Sequence, residues 1–275
     1  MAQFNGCLLA CDVDGTLTDS GYIPENNIRA IDRFVKMGGK VCLATGRSPA
    51  ALTEITAKIT NLAPSVLTNG SIVYDFKSKK VLYSKGICEN DKAVVTYIYE
   101  NMPNVSFEIH SGDTIYVFND NKESNDHRTY EHFTAAFTCI HDMQSKDWNK
   151  VIFLPSNETE LEQLKEYVFN LKCESKFYNS TAVLNGIRRR YVEMVPSGIS
   201  KAETLIELAK TFNIKEGGFF AIGDYYNDIE MIKAADVSAV PEEAPEDVKK
   251  EADISLCGVK NGAVAEFIGY LEERK

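Results

Sequence analysis

The sequence contains no apolar run near the roughly 18 residues a membrane-crossing helix requires, no internal repeat and no low-complexity segment. Its seven cysteines (7, 11, 42, 88, 139, 173 and 257) are odd in number and include no C-x-x-C pair. That excludes an obvious disulfide framework or zinc site, and the four histidines (110, 127, 132 and 141) match no zinc spacing either. Reduced thiols in apolar runs behave as small hydrophobes, so a reducing cytoplasm is the expected setting. Leu8-Leu9-Ala10-Cys11 looks like a lipoprotein cleavage box, but no basic segment precedes it and the apolar stretch is too short for a signal sequence. Positive charge is also scarce: 30 basic residues stand against 40 acidic ones, a net charge of -10. Such a field repels nucleic acid and anionic membrane, and neither is an expected partner. The local exception, Arg188-Arg189-Arg190, reads either as a solvated turn beside a strand or as a basic group leaning over a cleft toward an anionic substrate.

What is present is a chain of 275 residues, 44% hydrophobic, enough for one large domain or two modest ones. Cys7-Leu8-Leu9-Ala10-Cys11, Val41-Cys42-Leu43-Ala44 and Phe219-Phe220-Ala221-Ile222 are short apolar runs of the kind buried on both faces of a parallel sheet. Between the first two, Pro24 to Met37 reads as a helix with an apolar stripe at Ile28, Ile31, Phe34 and Val35, stopped by Gly38-Gly39. A helix from about Pro49 to Thr60 and a strand at Ser65 to Leu67 complete a β-α-β-α-β pattern, the mark of a doubly wound α/β sheet. After Asn69-Gly70 the pattern changes to a hairpin (Ile72-Val73-Tyr74 and Val81-Leu82-Tyr83) and then to alternating strands mixed with helices. The α/β pattern returns after Tyr191-Val192-Glu193-Met194-Val195, with helices at Ser200 to Phe212, Asp228 to Ala235 and Ala263 to Glu273. The expected fold is a Rossmann-like parallel-sheet core formed by 1–85 and 191–275, with an α+β domain inserted at 86–190.

Polar clusters follow these strands or open these helices: Asp12-Val13-Asp14-Gly15-Thr16, Thr45-Gly46-Arg47, Ser200-Lys201, and Gly223-Asp224 with Asn227-Asp228. Ligands of open α/β sheets bind beyond the carboxyl ends of the strands, so the clusters are expected to converge. Together they suit phosphoryl transfer, in which a negative attacker meets a negative ester and needs cations and preorganised donors. Asp12 and Asp224 can hold a magnesium ion, with Asp228 ordering the metal-bound waters behind them. Lys201 brings a point charge, and the Thr45 hydroxyl and Gly46 N–H are phosphate donors near a helix start. Asp14 can protonate a leaving alkoxide and then activate water. Arg47 reads equally as a helix-surface salt bridge or as a contact to substrate or phosphate. Asn227 and Asp228 read as caps of the next helix that also order the site, with Asn227 on the substrate side. Asn69-Gly70 is a common turn dipeptide or a group near the cleft.

Asp12-Val13-Asp14-Gly15-Thr16-Leu17-Thr18 resembles the nucleophile loop of the haloacid dehalogenase-like superfamily in its phosphatase form. Thr45, Lys201 and Gly223-Asp224-x-x-Asn227-Asp228 resemble its other three motifs, in the same chain order. The long insertion, Thr45-Gly46-Arg47, Asn69-Gly70, and Asn227-Asp228 followed by Met231 resemble the class IIB, Cof-type branch. The resemblance covers nearly the whole chain. It implies a phosphatase with Asp12 as nucleophile, Asp14 as general acid/base, an aspartyl-phosphate intermediate, and Mg2+ bound by Asp12, the Asp14 carbonyl and Asp224. One departure is Pro241-Glu242, where this type commonly has Asn-Ala; Gly198-Ile199-Ser200-Lys201 is within its pattern. The expected partner is a small phosphorylated metabolite, sugar phosphates first, and the expected state a monomer or weak homodimer. The rival readings are a phosphomutase and a non-catalytic phosphometabolite-binding protein, for which Asp14 has no use.

Overall fold

The structure, a computed structural model, describes residues 3–170, 173–184 and 187–274, without the side chains of 169 and 181–188. The chain divides into two compact units: the described residues of 1–47, 52–82 and 199–275, and residues 48–51 with 83–198.

The first unit is built on a five-stranded, all-parallel sheet in the order Ile254–Ser255, Val237–Val240, Phe219–Ile222, Leu8–Cys11, Lys40–Leu43. Side chains alternate across a strand, which accounts for the two apolar layers. Leu9 and Cys11 join Phe34, Phe220 and Phe267 on one face; Leu8 and Ala10 join Leu205 and Met231 on the other. Helices Glu25–Lys36 and Ala263–Glu273 therefore cover one face, and Lys201–Thr211 and Ile229–Ala234 the other. This is the Rossmann-like arrangement expected from the apolar runs. Leu8–Cys11 pairs on one side with the strand that follows it and on the other with Phe219–Ile222, some two hundred positions later. The chain thus departs in opposite directions from this strand pair, and a crevice opens at its carboxyl end.

Beyond Lys40–Leu43 the main chain continues into a small sheet, Ser65–Leu67, Ile72–Asp75, Lys80–Ser84. A parallel bridge between Ala44 and Val66, with the Thr45 N–H donating to the Val66 carbonyl at 3.0 Å, ties the two together. The helix expected from Pro49 to Thr60 is a 3-10 turn, Pro49–Leu52, followed by a short α-helix, Thr53–Lys58.

The second unit is a six-stranded sheet in the order Lys176–Leu184, Ile187–Val195, Lys150–Leu154, Ser106–Ser111, Thr114–Phe118, Ala135–Ala136, antiparallel except for the last pair. Phe107, Ile109, Val151, Phe153, Val192 and Met194 face helices Glu89–Asn101 and Glu158–Asn170. On the opposite face the buried Glu108 accepts from His127 Nδ1 at 2.7 Å and sits 3.3 Å from His110 Nε2. Tyr191–Val195, expected to begin the return to the core, is instead the second half of strand Ile187–Val195, paired with Lys150–Leu154. The units divide at 198/199, where the sequence pattern put 190/191. The alternation of Val192 and Met194 with Tyr191 and Glu193 suits a half-polar antiparallel sheet better than a doubly covered parallel one. In the basic run, Arg189 pairs with Glu123 at 2.9 Å and Arg190 with Glu158. The Arg188 side chain lies outside the described residues.

Phe34 packs its ring 4.4 Å from that of Phe4 and 6.5 Å from that of Phe220, and is fully buried. Phe34→Ala should lower the unfolding free energy by about 3–5 kcal/mol in a urea titration; a loss under about 1 kcal/mol contradicts this core assignment.

Candidate active site

Asp12 follows the central strand directly, and its N–H donates to the Ile222 carbonyl at 3.0 Å, continuing the ladder by one residue. The ladder fixes its backbone at the switch point and leaves its side chain 8% exposed. Gly15 then turns the chain with φ +81°, and a Cβ there would lie 2.4 Å from Asp224 Oδ2. A side chain at 15 would be both strained and in collision with the second acid. Thr16, adjoining that turn, donates to Asp224 Oδ1 at 2.9 Å.

Lys201 opens helix Lys201–Thr211, whose N-cap Ser200 accepts from the Glu203 N–H at 3.2 Å. Its side chain is 2% exposed, and Nζ lies 2.7 Å from both Asp12 Oδ1 and Asp228 Oδ1. Asp228 is fully buried, and its Oδ2 accepts from the Asp224 and Tyr225 N–H groups at 3.1 and 3.2 Å. It therefore holds both the ammonium and the turn that carries Asp224. Burial works against the charge on Lys201, but the two carboxylates outweigh it and hold its pKa above the ordinary lysine value. Asp12 is pushed well above the usual carboxylate range, by burial first and then by Asp228 and Asp224, against the pull of Lys201. Burial, and after it the Asp228 charge, raises Asp224 to about 6.

Asp14 takes no part in these hydrogen bonds. Its carboxylate takes a two-pronged bond from Arg47, with Nε to Oδ2 at 2.7 Å and Nη2 to Oδ1 at 2.9 Å. Its side chain is 52% exposed and that of Arg47 17%. The salt-bridge reading of Arg47 is thus realised within the site, not on a helix surface. Thr45 is buried and its Oγ1 accepts from the Arg47 N–H at 3.2 Å. Asn227 is exposed and donates to Asn69 Oδ1 at 3.4 Å.

The clusters therefore meet at the carboxyl end of the sheet. Asp12, Asp224, Asp228 and Lys201 share one knot, Asp14 and Arg47 form a second, and Thr45–Gly46 joins Asn227 through Asn69. Sequence reasoning gave Thr16 no role, although it stands inside the Asp12–Thr18 motif. Asp12, Asp224 and Asp228 place carboxylate oxygens within 4.8 Å of one another. Three acids against one ammonium leave the group short of positive charge, and an all-oxygen donor set suits a hard divalent cation. Asp12 Oδ2 and Asp224 Oδ2 make no bond among the described residues, whereas both Asp228 oxygens are engaged.

The chain matches the model of the haloacid dehalogenase-like hydrolases over residues 9–268. It belongs to that family. Among relatives, it is 24% identical to the 5-amino-6-(5-phospho-D-ribitylamino)uracil phosphatase YwtE of Bacillus subtilis, over 96% of this chain and 97% of that protein. It is 28% identical over 91% of its length to the chloroplastic endoribonuclease YBEY of Arabidopsis thaliana, of which it spans 44%. The fold matches that of the subclass IIB sugar phosphatase BT4131 with a TM-score of 0.78, at 19% identity over 97% of this chain and 98% of that one. Within this haloacid dehalogenase-like fold the knot of acids has an electrostatic cost.

An acid whose pKa is raised by folding contributes stability that is complete below its unfolded value of 3.8 and is lost as pH rises through about 6. Asp224→Asn removes that repulsion while keeping an acceptor for Thr16. With a chelator present at pH 7.5 it should gain about 1 kcal/mol, a figure reduced because Asp224 keeps contact with solvent, or roughly 2–4 °C in Tm. At pH 4 the gain should vanish; a Tm that falls at pH 7.5 contradicts the assignment.

Proposed function

We propose that the chain, a phosphoric monoester hydrolase, releases phosphate from small phosphorylated metabolites with Asp12 as its nucleophile. The observation that carries this reading is the clamp on Asp12: one oxygen is held by a buried ammonium that Asp228 holds in turn, and the other is unengaged. Lys201 fixes the angle of attack and offsets the charge of the incoming phosphoryl group. Thr45 and Gly46 are the phosphate-binding groups in this reading, and Arg47 and Asn227 the further contacts to substrate.

Asp12 Oδ2 attacks phosphorus, the bond to the ester oxygen breaks, and Asp14 in its acid form gives that oxygen a proton. The alcohol leaves and an aspartyl-phosphate remains on Asp12. Asp14, now a carboxylate, takes a proton from a water molecule that attacks the same phosphorus, releasing phosphate and restoring Asp12. In the free enzyme Arg47 holds Asp14 at the site's edge. Asp12, Asp224 and the Asp14 carbonyl are the groups that would hold Mg2+, and Asp228 would steady them from behind. When bound, the ion would offset the negative charge that otherwise keeps a carboxylate from a phosphate ester.

Sugar phosphates are the leading substrates. Supporting this, the Bacillus relative is named for a phosphorylated ribityl compound, and BT4131 is described as a sugar phosphatase. The inserted unit, residues 83–198, acts as the cap that selects such a substrate, and the protein works in the cytoplasm. Asp12→Asn should lower kcat for an aryl phosphate by roughly 10^3-fold or more, with KM little changed. A chelator should abolish wild-type turnover, and added Mg2+ should restore it. Phosphate release that survives Asp12→Asn would overturn the assignment.

A further inference from the structure

Residues 68–70 adopt a backbone that no ordinary turn requires. Thr68, Asn69 and Gly70 follow one another at φ +49°, +56° and +107°. One left-handed residue is common in a turn, but a β-branched threonine there is a genuine outlier, and such strain persists only where its surroundings over-determine it. Here they do. The Thr68 N–H donates to the Arg47 carbonyl at 3.0 Å and the Asn69 N–H to the Thr45 carbonyl at 3.1 Å. Ser71 Oγ bonds Thr68 Oγ1 at 2.6 Å, and Thr204 of the Lys201 helix donates to the Gly70 carbonyl at 2.8 Å. A Cβ at 70 would lie 2.4 Å from the Ser200 carbonyl oxygen. The turn is therefore bolted to the loop that carries Thr45 and to the first turn of the helix that carries Lys201.

The bolts serve one side chain. The Asn69 carboxamide lies close to Gly46, where a Cβ would sit 3.1 Å from Oδ1 and 3.3 Å from Nδ2. Asn227 donates to Asn69 Oδ1, which turns Nδ2 away from Asn227, and Nδ2 has no partner among the described residues. A donor held by strained backbone beside Thr45–Gly46, with its acceptor end already engaged, is prepared for an anion. We propose that Asn69 is a further substrate-binding residue, its Nδ2 donating to an oxygen of the phosphoryl group and its orientation fixed by Asn227. This rests on the phosphatase reading of the same site.

Asn69→Gly suits the left-handed backbone and removes only the carboxamide; Asn69→Asp keeps shape and acceptor but puts a negative charge where the donor was. Both variants and the wild type would be assayed with p-nitrophenyl phosphate, with inorganic phosphate as inhibitor, and their Tm measured. The expected result for Asn69→Gly is a rise of about tenfold in KM and in the phosphate inhibition constant, with kcat and Tm little changed. Asn69→Asp should raise both by roughly 100-fold. If Asn69→Gly keeps both constants within about twofold of wild type, the inference is overturned while the phosphatase reading stands. A purely structural role would lower Tm and kcat at unchanged KM, and that result would overturn it too. If the wild type releases no phosphate, the reading of the site falls and this inference with it.

Discussion

A single buried ammonium organises this site. Lys201 Nζ lies 2.7 Å from carboxylates that arrive from opposite ends of the chain, Asp12 at the end of the first strand and Asp228 below the Asp224 turn. Removing a lysine from water is costly unless both charge and hydrogen bonds are returned, so the contact holds only if all three elements are in place. The parallel sheet brings Leu8–Cys11 beside Phe219–Ile222, and the helix that starts at Lys201 packs on the face below them. Folding and site assembly are one event at this point.

The same contact leaves the site electrostatically unfinished. Lys201 answers two of three neighbouring acids, and Asp12 and Asp224 both remain harder to ionise than ordinary carboxylates. A protein selected only for stability would not bury this arrangement. A site meant to receive a cation and a phosphate would, because it stores the charge imbalance the ligands relieve. The left-handed run at 68–70, bonded to the Thr45 loop, is a second such cost.

Much of this was legible in the sequence, for physical reasons. Strands buried on both faces of a parallel sheet are written as short continuous apolar runs, so Leu8–Cys11 and Phe219–Ile222 stood out, and the polar groups just after them marked the crevice. What could not be read depends on partners far away in the chain. Nothing near Arg47 says that its guanidinium grips Asp14, because that bond closes only when the two loops meet. Asn69-Gly70 read either as a turn pair or as a group near the cleft, and its orientation comes from bonds to residues 45, 47 and 204. Tyr191–Val195 alternates as a half-polar antiparallel strand does, but its partner, Lys150–Leu154, is not written beside it. Family resemblance supplied what spacing does not, namely the expectation that Asp12 attacks and Asp14 carries the proton.

Trapping the covalent species distinguishes the two aspartates. Enzyme quenched during turnover of an aryl phosphate and treated with borohydride would be digested and its peptides weighed by mass spectrometry. The expected product is homoserine at position 12, the reduction product of an aspartyl-phosphate, with Asp14 unmodified. Phosphate release with Asp12 never modified, or with the label on another residue, would contradict it.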